Sequence, residues 1–115
     1  MTIKEFYKKI GGDYDEIIGR LFSEALVKKF LIKFLTDTTY QTFFEEIEKK
    51  NVEEAFRAVH TLKGVCQNLG LGSLYKSARD IAEALRGGHD NVTQPMLDNL
   101  KSDYEMTVEA LKEID

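Results

Sequence analysis

Asn51-Val52-Glu53-Glu54-Ala55-Phe56-Arg57-Ala58-Val59-His60-Thr61-Leu62-Lys63-Gly64-Val65-Cys66-Gln67-Asn68-Leu69-Gly70 is the stretch that decides the fold. Ala55, Val59, Leu62, Cys66 and Leu69 recur at spacings of three and four, the signature of one buried face on an α-helix. Asn51 followed by Glu54 resembles a capping box at the front, and Gly70 accepts the left-handed turn that closes a helix. The spacing therefore predicts a helix over 52–69. At about 100° per residue, its far side carries His60, with Lys63, Gly64 and Gln67 within roughly 60° of it around the axis.

The same punctuation runs outward in both directions. Thr2 with Glu5 and Asp13 with Glu16 have capping-box spacing, and Gly11-Gly12 and Gly87-Gly88 stand where helices should stop. Pro95 falls in a first turn after Thr93, where its missing N–H costs little. These marks predict short helices near 2–10, 14–21 and 24–35, then longer ones near 37–50, 52–69, 72–86 and 94–114. Each of the last four carries one apolar stripe. Beside the stripe of 52–69 they are Tyr40, Phe43, Phe44 and Ile47; Leu74, Ala78, Ile81 and Leu85; and Leu97, Leu100, Tyr104, Val108 and Leu111. Short connections make successive helices antiparallel. The expected architecture is all-α, an antiparallel four-helix bundle with short accessory N-terminal helices, forming one domain over 1–115. Residues 26–35 are apolar on more than one side and are expected to cap an end of the bundle against two neighbours.

Composition narrows the function classes. The chain of 115 residues is 43% hydrophobic, enough for one core and too short for two. A formal net charge of −4 argues against a nucleic-acid surface. The apolar runs are a few residues long, so no membrane insertion is expected, and the first residues do not read as a signal peptide. A lone Cys66 and the absence of zinc-like Cys/His spacing point to a reducing, cytoplasmic setting and no metal ligation.

The polar side of the 52–69 helix holds the chemistry. An exposed histidine by itself is ordinary, but Gly64 is not. A glycine inside a helix costs roughly 1 kcal/mol against alanine, and the pattern continues through it to Leu69. Two readings compete: tight packing against another helix of the bundle, or clearance for a visiting backbone. Its place beside His60, away from the apolar stripe, favours clearance. The Lys63 ammonium, one turn from His60, is placed to neutralise a phosphoryl oxygen on the imidazole. Gln67 offers an amide to the ring or to that phosphoryl group. Phe56, one turn before His60, is read as packing against the preceding helix, with a docking spot as the alternative. Lys63, Lys76 and Arg79 are neighbouring basic groups that would steer a partner's approach.

His60-Thr61-Leu62-Lys63-Gly64, followed by Leu69-Gly70 and then by Leu74 in the next helix, resembles the motif of the histidine-containing phosphotransfer (HPt) domains of two-component phosphorelays. The likeness covers roughly residues 13 to 86 and is nearest to the small stand-alone bacterial members. It implies the same four-helix fold. It also implies that His60 accepts a phosphoryl group on Nε2 from a receiver-domain aspartyl phosphate and passes it to another receiver aspartate. Lys63 would steady the phosphoryl charge and Gly64 would leave room for the receiver. The implied partners are response-regulator receiver domains and a hybrid sensor histidine kinase. The protein would act as a carrier rather than an autonomous ATP-dependent kinase, binding no cofactor itself, with Mg²⁺ on the partner receiver. One position departs from the pattern. Many members place a Glu or Gln twenty-two residues after the histidine, bonded to the ring's other nitrogen; here that position is Ala82. Glu83, Arg79 and Gln67 are the remaining candidates to orient the ring.

Two rivals stand beside this reading. One is a non-catalytic adaptor that binds receivers without carrying phosphate, which the presence of both His60 and Lys63 disfavours. The other is an enzyme with a metal or acid/base site. Glu45, Glu46, Glu48, Glu53 and Glu54 are numerous, but their spacing suits solvated faces.

Overall fold

The computed structural model describes residues 1–115, which form seven α-helices and no strand. Three short helices come first: α1 (Ile3–Lys9), α2 (Tyr14–Leu21) and α3 (Glu24–Phe34). Four longer ones follow: α4 (Thr39–Glu48), α5 (Val52–Leu69), α6 (Gly72–Leu85) and α7 (Gln94–Lys112). The chain is an all-α bundle 40 × 23 × 21 Å across, and the 18 residues of α5 span about 27 Å.

Local sequence explains the helix starts. Thr2 accepts from the Glu5 N–H while the Glu5 carboxylate accepts from the Thr2 N–H, a complete capping box. Asp13, Ser23, Asn51 and Thr93 each cap with their own side-chain oxygen; each such cap contributes about 1 kcal/mol. The start of α4 differs from the expected 37. Asp37 turns its carboxylate forward onto the Thr39 N–H and hydroxyl, so it precedes the helix instead of joining it. The end of α4 comes early because Lys50 takes φ 59°, a left-handed turn that a helix cannot pass through. Helix α2 closes the same way on Phe22 at φ 69°, where the sequence offers no glycine to announce the stop.

The core runs along α5 and α6. Ala55, Val59, Leu62, Cys66 and Leu69 from one and Leu74, Ala78, Ile81 and Leu85 from the other are all buried. Helix α4 contributes Phe43. Helix α7 lays its apolar stripe on the core and adds an edge, Thr107 and Ala110, that the stripe does not include. Leu100, Thr107, Ala110 and Leu111 are buried, while Leu97, Tyr104 and Val108 are only partly so. Thr107 is tolerated there because its hydroxyl donates to the Asp103 carbonyl one turn back, 2.7 Å away. Tyr104 instead lies flat on Tyr40, ring centroids 3.7 Å apart and 4° from parallel, which joins α4 to α7.

Helix α3 packs on both α2 and α5 and buries Val27, Leu31 and Phe34. Leu26 and Ile32 of α3, its C-cap Leu35 and the α2 C-cap Phe22 are exposed. At the far end of α5 the turn before α2 meets the corner before α6. There the Tyr7 hydroxyl donates to the Leu69 carbonyl at 2.7 Å, and the Ser73 N–H donates to the Ile10 carbonyl at 3.1 Å. No helix is long and apolar enough to cross a membrane.

Candidate functional site

His60 lies near the middle of α5 and its side chain is exposed. Val59 behind it is fully buried, so the helix face is fixed and the imidazole is turned outward by register. Neither ring nitrogen has a hydrogen-bond or ion-pair partner in the protein. Phe56, one turn earlier, is half-buried against the core, and its ring stacks on the imidazole with centroids 5.6 Å apart and planes 26° from parallel. Phe56 packs against the core, as the packing reading expects, and its outer part also touches His60.

Gly64 sits on the next turn, well inside α5, and a Cβ built there meets nothing within 4 Å. That rules out tight helix–helix packing as the reason for a glycine. Every other helix-interior residue around it keeps a side chain, and the gap beside His60 is open to solvent.

The local charge is uneven. Arg57, just before His60, is neutralised by Glu53 at 3.6 Å and Glu54 at 3.1 Å. Lys63 forms no ion pair and is the free cation on this face of α5. Of the other basic residues named from sequence, Arg79 is held by Asp80 at 3.4 Å, whereas Lys76 is unpaired and exposed.

The expected ring partners are accounted for. Ala82 is 1% exposed, a methyl group in the core with nothing to offer an imidazole. Glu83 is turned to Arg86 at 2.5 Å. Gln67 is exposed, but its side chain makes no bond to His60. Seven residues separate the two, about 10.5 Å along the axis, too far for the amide to meet the ring. What Gln67 does contribute is its backbone carbonyl, which accepts from both terminal nitrogens of Arg20 at 3.4 Å and ties α2 to α5. No group of three or more His, Cys, Asp or Glu side chains is arranged to hold a metal.

An apolar cleft of about 390 Å³ borders the same helix. Leu21, Phe30, Phe34, Val65 and Leu69 line it, with Lys33 and Asp37 at its edge. The sequence pattern gave no sign of this cleft, because it forms where α2 and α3 fail to cover α5 completely.

A profile of the Hpt domain matches residues 25–113, from α3 to the end of α7. The chain belongs to the Hpt domain family. The match reaches further toward the C-terminus than the motif-based likeness did and leaves out α1 and α2. Hpt domains serve phosphotransfer in two-component signalling, and the exposed His60 falls inside the matched span. Among curated proteins, the chemotaxis protein CheA of Borreliella burgdorferi is 28% identical over 100 residues, 84% of this Hpt chain and 11% of CheA. The chain thus spans about a tenth of that relative's length. No solved structure matches it significantly.

Proposed function

We propose that His60 is the phosphoacceptor of a relay, taking a phosphoryl group from a receiver-domain aspartyl phosphate and passing it to the aspartate of another receiver. One observation carries this reading: an outward imidazole with no protein partner on either nitrogen, beside a helix position with no side chain and no neighbour. The Nε2 electron pair attacks phosphorus. The bond from phosphorus to the aspartyl oxygen breaks, the carboxylate leaves, and the Nδ1 proton is free to pass to water. Such transfer depends chiefly on in-line placement and charge stabilisation. Lys63, free of any carboxylate, is the group on this chain that meets the phosphoryl charge, and Gln67 stands further along the same face. The receiver supplies the aspartate and its Mg²⁺. A hybrid sensor kinase is the donor class that fits, and the carrier works in the cytoplasm, where receivers act.

The test is direct. A receiver charged with labelled acetyl phosphate and magnesium is mixed with the chain. Acid-labile, base-stable label is expected on the wild type and is lost in His60→Ala. Label that persists on that variant, for instance on His89, overturns the assignment. A stable receiver complex in which His60 never takes label identifies an adaptor instead.

A further inference from the structure

We propose that Phe56 is a positioning residue, which sets the plane of the His60 imidazole by stacking where no hydrogen bond does. The inference rests on His60 being the phosphoacceptor and concerns how its ring is held.

An exposed histidine on a helix rotates about two bonds, and only some settings point Nε2 outward for in-line attack. A hydrogen bond to Nδ1 is the usual way to fix such a ring. None exists here. Of the positions considered for one, Ala82 has no polar atom, Arg79 and Glu83 are engaged elsewhere, and Gln67 stands too far along the helix. The only side-chain ring against the imidazole is that of Phe56, at 5.6 Å and 26°. The i, i+4 spacing brings the two side chains together on one helix face, and the angle and distance are those of an offset stack. Phe56 is half-buried against the core, so it is a fixed surface and not a second loose group.

Stacking constrains the ring differently from a hydrogen bond. It removes rotational freedom without occupying either nitrogen, so Nε2 stays available for phosphorus and Nδ1 stays free to lose its proton. The developing imidazolium during transfer also gains from lying on an aromatic face.

Three variants separate this from a packing or docking role: Phe56→Leu, Phe56→Ala and Phe56→Tyr. The first readout needs no partner. In the wild type the Hδ2 and Hε1 resonances of His60 should be displaced by the Phe56 ring current. Phe56→Leu should return them to the positions of a free histidine, and Phe56→Tyr should keep the displacement. Resonances at free-histidine positions in the wild type overturn the proposal. The second readout is single-turnover transfer from a receiver charged with acetyl phosphate, over a range of receiver concentrations. Potassium phosphoramidate, a small donor that needs no docking, titrates the reactive His60 in each preparation. Phe56→Leu and Phe56→Ala should lower the rate at saturating receiver roughly three- to tenfold, with half-saturation unchanged and Phe56→Tyr restoring it. A shift in half-saturation with an unchanged saturated rate makes Phe56 a docking contact and refutes the proposal. A wild type that takes no label from either donor refutes the phosphoacceptor reading instead, while the resonance test of the stack still stands.

Discussion

The Tyr7 hydroxyl reaches across 62 residues to donate to the Leu69 carbonyl at 2.7 Å, tying α1 to the last residue of α5. The last carbonyls of a helix have no partner within it, and this one is buried beneath α1. Tyr7→Phe keeps the ring and removes the donor, leaving a buried acceptor unpaired. Stability should fall by about 1–2 kcal/mol, measured as a lower urea midpoint at unchanged slope. An unchanged midpoint would mean that water replaces the hydroxyl at no cost.

The neighbouring corner is held by backbone contact. A Cβ on Gly72 would stand 2.0 Å from the Gly11 carbonyl oxygen and 2.7 Å from its carbon. Backbone cannot swing aside as a long side chain can, so Gly72→Ala must push the α1–α2 turn away from α6. The expected loss is roughly 2–3 kcal/mol, at the upper end of overpacking effects, read by thermal or urea unfolding. Gly19→Ala is the control, since a Cβ there meets nothing within 4 Å.

Alkaline solution should unfold the bundle for an identifiable reason. Burial pushes the Cys66 thiol and the Tyr7 phenol well above their ordinary values, because the thiolate and phenolate would be charges in the core. Below about pH 8 both groups keep their protons in either state and the fold has its full stability. Above that, the unfolded chain releases first the thiol proton and then the phenol proton, which the native chain retains. The unfolded state then binds fewer protons, so stability falls with pH by up to about 1.4 kcal/mol per unit for each group. Cys66→Ala should remove the part of the slope that begins near pH 8.5 and leave the later part. Identical slopes between pH 8.5 and 9.5 for the two proteins would count against it.

Helix α5 was fully legible from the chain because cap, stripe and terminal glycine agreed with one another. The outward register of His60 and the open face at Gly64 followed from the same periodicity. Three features were not legible, each for a physical reason. Thr107 looks like a surface residue until its hydroxyl is seen to bond the Asp103 carbonyl of its own helix. Phe22 gives no warning of a left-handed turn, since bulky side chains seldom adopt one. The stack of Phe56 on His60 depends on two rotamers, which residue spacing does not specify. The missing polar group at Ala82, by contrast, is visible in sequence.

Gly64 is the position where stability and transfer should respond in opposite directions. It occupies an exposed-face helical site with nothing within 4 Å of a built Cβ, so no packing contact compensates the entropy a glycine loses there. Gly64→Ala should stabilise the fold by roughly 0.8–1 kcal/mol, which raises Tm by about 3–4 °C in a domain of this size. Gly64→Gln should fold comparably well, because glutamine is also a good helix former. Both fill the gap beside His60. The methyl narrows it, and the longer amide blocks a receiver backbone from approaching the ring, so the saturated transfer rate should fall modestly for alanine and by roughly ten- to a hundredfold for glutamine. Labelling by phosphoramidate, which is small enough to pass, should survive in both. If Gly64→Gln transfers as fast as the wild type, the empty position serves some purpose other than admitting a receiver. If Gly64→Ala instead lowers Tm, the glycine is required by the fold.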